Sequence, residues 1–394
     1  MFNRLHLVES MAKRGEVMKK TKKSVIANLL KASMAISLVA SLVACSEDSP
    51  TNSGENAIPG NSGGVTSLTD ARDGKTYKAV TIGPVVWMAE NLNYVTESSR
   101  CYDDNLDLCE QYGRLYILTS MTGGMIGEDF LSICPEGWRL PRLEESKSLV
   151  TYGASALLAS GTNSTGFSAL LSGYMAPSEF DGSDKFDGMG SVAYIMADER
   201  NPEYFIEITE AGAASTVYKS RPSFFHFAIR CVKQIPVIEP GSVISGVLND
   251  PRDGKNYKTV KIGSLNWMAE NLNYHDQSLL GKSYCYDNNP DYCEAYGRLY
   301  LSDALEGLCP DGWHIPKDIE WFYLNEFVGD NKDVLRADGS NDYGFSVQLA
   351  GFMPERDSFR SVNFGAAFWS AEGGIFSVAG GEGVVGLSVR CVQN

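Results

Sequence analysis

Apolar and polar positions alternate from Tyr77 onward, with Val80, Ile82, Val85 and Trp87 disposed about Gly83, which predicts two short strands joined by a turn. A further turn precedes them at Asp73-Gly74. The same pattern returns at Tyr257, Val260, Ile262 and Trp267. Later in each half a short strand closes on Leu140-Pro141 or Ile315-Pro316, and helix-like stretches follow at 143–149 and 318–327. Gly-punctuated short segments fill most of the rest and end in apolar strands at 227–232 and 387–392. The predicted class is α+β and rich in loops.

The two halves are copies. Residues 72–94 (RDGKTYKAVTIGPVVWMAENLNY) recur as 252–274 (RDGKNYKTVKIGSLNWMAENLNY) with 17 identities and an offset of 180. What both copies retain is a guide to what the module needs, whether for folding or for function.

The first residues carry a different pattern. Beginning at Met18, Lys19, Lys20, Lys22, Lys23 and Lys31 form a basic segment, residues 34–43 are apolar, and Leu42-Val43-Ala44-Cys45 closes it. That ending resembles a bacterial lipobox, in which small residues admit the signal peptidase and the acylated cysteine becomes the new amino terminus. Cys45 is then the lipid anchor and 1–44 the signal peptide, and the short apolar stretch argues against a spanning helix. An ordinary cleaved signal with an incidental cysteine is the alternative. Several acyl chains on one cysteine give firm membrane attachment, at about 0.8 kcal/mol per buried methylene. The expected address is lipid-anchored at the outer membrane and facing outward, helped by Glu47 and Asp48 just after the anchor, a pattern similar to surface-export signals.

Export implies that thiols pair. Eight cysteines remain, four per copy in the same order, and four allow three pairings. The shared spacing favours Cys101 with Cys109 and Cys285 with Cys293, each spanning a small loop. That leaves Cys134 with Cys231 and Cys309 with Cys391, joining a CPxGW element to a terminal RCV strand. Each long bridge would constrain the unfolded chain by about 4 kcal/mol. No CxxC spacing suggests a structural metal.

Charge narrows the partners. The full chain carries −15; removing eight basic and two acidic residues with the leader leaves 26 against 47, or −21. Such acidity argues against nucleic acid and against anionic lipid surfaces. Residues 45–64 are Ser, Gly, Asn and Pro with little apolar content and read as a disordered tether of roughly 25 Å reach. Copy 1 then spans 65–233, a linker stiffened by Pro236 and Pro240 spans 234–244, and copy 2 spans 245–394.

GWRLPRLEE (137–145) and GWHIPKDIEW (312–321) resemble the element that opens the first helix in proteins of the formylglycine-generating-enzyme type, a branch of the C-type-lectin-like fold. Together with DGKxYKxVxIG, WMAENLNY, YGRLY, CPxGW, NxxGF and RCV, the motif order is similar to the Fibrobacter succinogenes major paralogous domain family, as a tandem pair. The resemblance implies two disulfide-stapled lectin-like modules and no established activity. It also makes 173–221 and 351–382 the candidate recognition loops, because the segment before the last strand carries the variable ligand surface in lectin-like folds. Copy 1 departs further from the pattern, with Ser146 where copy 2 has Trp321 and Tyr194-Ile195-Met196 set against Phe368-Trp369-Ser370.

No catalytic constellation is present. Formylglycine-generating enzymes use a redox-active cysteine pair and copper late in the domain, whereas here the only cysteine after CPxGW in each copy lies in RCV. His226, His275 and His314 stand where the other copy has Val389, Val95 and Arg139. There is no Ser-His-Asp order, phosphate loop or HExxH, and the adjacent Glu144 and Glu145 point apart on a helix. One chemical pattern does repeat: Asp103, Asn105 and Asp107, and Asp287, Asn289 and Asp291, place oxygen donors at alternate positions, which suits calcium, although the loops lack its turn Gly and bidentate Glu and an Asx-rich turn is the favoured reading. The matched aromatics Trp87/Trp267, Trp138/Trp313, Tyr94/Tyr274 and Tyr116/Tyr300 could stack on sugar or fill the core. The expected function is noncatalytic recognition of a polysaccharide or surface protein; a purely structural envelope lipoprotein and a degenerate oxidase-like enzyme are the alternatives.

Overall fold

A computed structural model describes residues 66–117, 133–177, 183–199, 204–217, 225–234, 243–329, 331–380 and 383–394. The leader, Cys45 and the tether lie outside them. Among the described residues no helix is long and apolar enough to cross a membrane.

Each copy opens on the predicted hairpin. Thr76–Ile82 pairs with Val85–Met88, Val80 facing Trp87, around Gly83 at φ 57°. Asn256–Ile262 and Leu265–Met268 repeat it, with Val260 facing Trp267. Burial alternates identically along both first strands, so the apolar side chains at alternate positions set the register. An edge strand (Thr66–Thr69 or Ile244–Asn249), the last strand (Val232–Lys233 or Val392–Gln393) and Trp138–Arg139 or Trp313–His314 complete a five-stranded sheet in each copy. The edge strand of copy 2 therefore begins on the last residue assigned to the linker.

A second sheet follows in each copy. In copy 1 it has seven strands and in copy 2 five, with a separate two-stranded ribbon formed by Ala366–Trp369 and Ile375–Ala379. The modules are thus mostly β with a few helices. Much of what read as loops at 173–221 and 351–382 is strand, including Tyr204–Thr209 and Ser358–Val362. The single terminal strand expected at 227–232 is also split. His226–Phe227 joins the second sheet and Val232–Lys233 the first, and the residues between them bond instead to 88–92, with Met88 N–H donating to Cys231 O (2.9 Å) and Leu92 N–H to Ile229 O (2.8 Å).

Among the described residues the α-helices are α1 (Leu106–Tyr112), α2 (Leu143–Val150) and α3 (Ala154–Leu157) in copy 1, and α4 (Pro290–Tyr296) and α5 (Asp318–Val328) in copy 2. Helices α2 and α5 start where the Pro-containing motif predicted. A glutamate three residues in folds back onto the entering backbone, Glu145 accepting from Arg142 N–H and Glu320 from Lys317 N–H, each at 2.8 Å. Helices α1 and α4, inside the small disulfide loops, were not anticipated.

The four disulfides pair as spacing suggested. Cys101–Cys109 and Cys285–Cys293 close eight-residue separations, and Cys134–Cys231 and Cys309–Cys391 separations of 97 and 82. None joins one copy to the other.

The terminal RCV motif has a second function in the core. Arg230 and Arg390 are fully buried without a carboxylate partner. Arg390 donates from Nε to Asn271 Oδ1 (2.9 Å), from Nη2 to Ser346 O (2.8 Å) and from Nη1 to Phe345 O, and its guanidinium sits 4.5 Å from the centre of the Phe345 ring. Arg230 repeats this with Asn91, Ser168 and Phe167. The motifs RCV, NxxGF and WMAENLNY therefore recur together because one cation satisfies their buried carbonyls. Burial draws each guanidinium down to about 9, which leaves it charged at neutral pH.

The copies are not independent bodies. On α5, Trp321, Leu324 and Val328 face the copy 2 core, while Ile319 and Tyr323 belong to the copy 1 core, with Phe322 and Phe327 packed against it. A helix with apolar residues on two faces needs cover on both, and copy 1 supplies the second cover through α2. Tyr323 Oη donates to Glu145 Oε1 at 2.5 Å, and Glu145, fully buried, is held by Arg139 at 2.7 and 2.9 Å. Arg142 and Glu326 add an ion pair at the rim.

Candidate functional site

The oxygen-rich loops resolve into backbone roles. Asp103 and Asp104, and Asp287 and Asn288, all carry left-handed φ of 52–56°, a conformation Asp and Asn tolerate better than other side-chain-bearing residues. Asn105 and Asn289 are helix N-caps, each Oδ1 accepting from the N–H of Asp107 or Asp291 at 3.0 Å. Asp104 is turned away into a bidentate pair with Arg100. The Asx pattern thus builds a strained turn and a cap, with the Asn105 and Asn289 amide oxygens already engaged by backbone N–H groups. Among the described residues no group of three or more His, Cys, Asp or Glu could hold a metal ion.

The matched aromatics divide. Trp87, Trp267, Tyr116 and Tyr300 are buried in the core, and Trp138 and Trp313 pack against it. Tyr94 and Tyr274 each have one ring face covered by an arginine, Arg72 at 3.9 Å and Arg252 at 3.8 Å, and those arginines are fixed by the buried Asp70 and Asp250. None of these rings offers a free stacking surface. The Phe368-Trp369-Ser370 tripeptide is also core: Phe368 is fully buried, and Trp369 Nε1 donates to Tyr300 O at 2.7 Å. Sheet pairing sets it against Ile195-Met196-Ala197, one residue later than sequence comparison placed it, since Ile195 bridges Ala228 as Phe368 bridges Ser388. The same register sets His226 against Gly386 rather than Val389, each flanked by the second sheet.

Copy 1 compensates for Ser146 by filling the vacated volume differently. Trp321 stacks on Phe376 in copy 2 (4.5 Å, 6°). In copy 1 Ile206 and Ile208 are fully buried in the corresponding core, and the Ser146 hydroxyl donates to Ala197 O at 2.7 Å.

A surface ring cluster is developed in copy 2 and reduced in copy 1. The hairpin of Ala350–Glu355 and Ser358–Val362 folds over the Cys285–Cys293 loop, bringing Phe359 to 5.3 Å from Tyr286. Tyr286 meets Tyr292 at 5.4 Å, and Tyr292 meets Tyr296, one turn along α4, at 6.0 Å. Tyr296 Oη donates to Asn363 Oδ1 (2.9 Å), next to Phe364, which is 82% exposed. Copy 1 keeps the anchoring pair, Tyr102 and Phe186 at 5.2 Å, but has Leu108 and Ser191 where copy 2 has Tyr292 and Phe364. These rings were not singled out from sequence. They are scattered over three segments that only the hairpin brings together.

A family model described as Fibrobacter succinogenes major domain matches residues 80–233 and 260–393. No curated protein and no solved structure matches the chain.

Proposed function

The chain belongs, twice over, to the Fibrobacter succinogenes major domain family, and from that premise we propose a lipid-anchored cell-envelope protein whose two modules recognise a surface ligand without catalysis. The finer fold reading, a C-type-lectin-like module of the formylglycine-generating-enzyme type, is part of the same proposal. It is consistent with a ligand surface built by the hairpin before the last strand. Disulfides within each copy fit an oxidising, exported setting. Cys45 is the proposed anchor and the outer membrane the proposed site, with the modules held outward on the tether.

One observation carries the recognition reading. The two copies share hairpin, disulfides and buried arginine almost residue for residue, and copy 2 alone extends the shared Tyr286–Phe359 pair into a larger ring cluster through Tyr292, with Phe364 left in solvent. Exposed aromatic faces are suited to stacking on a sugar ring or anchoring a protein side chain. Lipid-free protein (Cys45→Ala) on a glycan and cell-wall polysaccharide array is expected to bind, and Phe359→Ala with Phe364→Ala to lose that binding while remaining folded. An array with no specific binding favours the purely structural envelope role.

A further inference from the structure

Within YGRLY (112–116 and 296–300) the leucine and second tyrosine are buried in both copies. The glycines are required, since a Cβ on Gly113 or Gly297 would lie 2.7 Å from Asn91 or Asn271 Cβ at positive φ. Packing leaves the arginine unexplained. Six other described arginines pair with carboxylates, and Arg230 and Arg390 are occupied by carbonyls. Arg114 and Arg298 are half-buried, pair with no carboxylate and make only long hydrogen bonds.

The environment of these two is the same in both copies. Arg298 Nη1 makes one long hydrogen bond, to Ser283 Oγ at 3.3 Å, and Arg114 Nη1 reaches Ser99 Oγ and O at 3.4 Å. Nε is buried without a partner in each. Nη2 makes no hydrogen bond within the protein and is not fully buried, so it keeps access to solvent. Burial pulls the Arg298 guanidinium below its ordinary value, and the Tyr300 and Glu294 groups near it offset that cost only in part, with no carboxylate in ion-pair contact. Copy 2 gathers further basic side chains near the same strand, Ser283–Tyr284, with burial and then the Arg298 charge holding His275 below its ordinary pKa, so that it serves as a hydrogen-bonding imidazole. The exposed His275 meets Ser283 Oγ through Nδ1 at 2.8 Å, and Arg356, from the ring-bearing hairpin, donates to Gly281 O at 3.3 Å. Tyr284 itself packs against the ring cluster.

We propose that Arg298, with Ser283 and His275, receives a carboxylate of the copy 2 ligand, which is therefore a uronate-bearing acidic polysaccharide. The inference rests on the recognition reading and extends it: the rings stack on sugar faces and the guanidinium fork takes the acid, a planar match that favours arginine. Arg114 and Ser99 form a second, weaker receptor in copy 1, where Val95 replaces His275.

The test is calorimetric titration of the lipid-free full chain with oligogalacturonate and with its neutral methyl ester. The acid form is expected to bind about tenfold more tightly than the ester. Arg298→Gln should abolish that preference with the melting temperature held, Arg298→Lys should keep a reduced preference, and Arg114→Gln should leave most of it. If Arg298→Gln fails to fold, His275→Val, an exposed change to the copy 1 residue, decides by weakening only the acid form. Equal binding of acid and ester, or an unchanged preference in these variants, overturns the carboxylate receptor while leaving neutral-glycan recognition standing. No binding to either probe or to any array polysaccharide overturns both.

Discussion

Tyr323→Phe tests whether the two copies are one cooperative unit. The substitution removes a single hydroxyl from α5 of copy 2, but the group it serves, Glu145, belongs to copy 1. Burial, and then the neighbouring Glu145 charge, push the Tyr323 phenol well above its ordinary pKa, so it remains a donor at all working pH. Glu145 is fully buried and keeps three other donor contacts after the change: two from Arg139 and one from Arg142 N–H. The loss is therefore that of one hydrogen bond to a charged acceptor, about 1.5–3 kcal/mol, rather than the larger penalty of a stranded charge. Glu145→Ala strands Arg139 instead and should cost about 3–5 kcal/mol. Because the two side chains touch, the Tyr323→Phe and Glu145→Gln cycle should show coupling of about 0.5–3 kcal/mol. Hydrogen exchange localises the effect: in Tyr323→Phe the amides of α2 (Leu143–Val150) should exchange faster although no residue of copy 1 has changed. Unaltered exchange in α2, or two denaturation transitions of which only that of copy 2 responds, would refute the shared core.

Arg390→Met leaves Asn271 Oδ1, Phe345 O and Ser346 O without their donor, and although it also removes a buried cation, the net loss should be about 3–5 kcal/mol by denaturant titration; a loss under about 1 kcal/mol would remove the keystone role. His314 carries a raised pKa, because burial lowers it but hydrogen bonding to Glu320 and Asn394 and the Glu320 charge outweigh burial and the opposing Lys317. Its stabilisation should therefore be complete below the unfolded value and fade as pH rises through the folded one, so the melting difference between the protein and His314→Asn should shrink with rising pH; a difference that grows would contradict the assignment. Calcium and a chelator should give superimposable melting curves, since Asn105 and Asn289 are caps, whereas a rise with calcium that magnesium does not reproduce would restore the metal reading. Cys45→Ala should end lipid labelling and release the protein from membranes, an expectation that unchanged fractionation would defeat.

What the sequence determined was local or repeated. The alternation around Gly83 and Gly263 fixed both hairpins, because a period of two buries one face and a slip would expose it. Helices α2 and α5 followed from the proline and the glutamate three residues in, and the disulfides from spacing shared by two copies under one topology.

Tertiary structure decided the rest. Phe359 is distant in sequence from Tyr286 and Tyr292, and only the pairing of Ala350–Glu355 with Ser358–Val362 brings its ring to theirs. Asp103 and Asn105 look the same on paper whether they ligate a cation or shape a turn; backbone φ and the direction of one amide oxygen distinguish the two. Arg390 and Arg298 are both plain arginines in recurring motifs. One is surrounded by carbonyls and the other is left with an open fork, because burial and partnering depend on what the rest of the chain brings near. The sequence marked α5 only as a helix, and three-dimensional packing alone showed that its apolar residues divide between the two copies' cores.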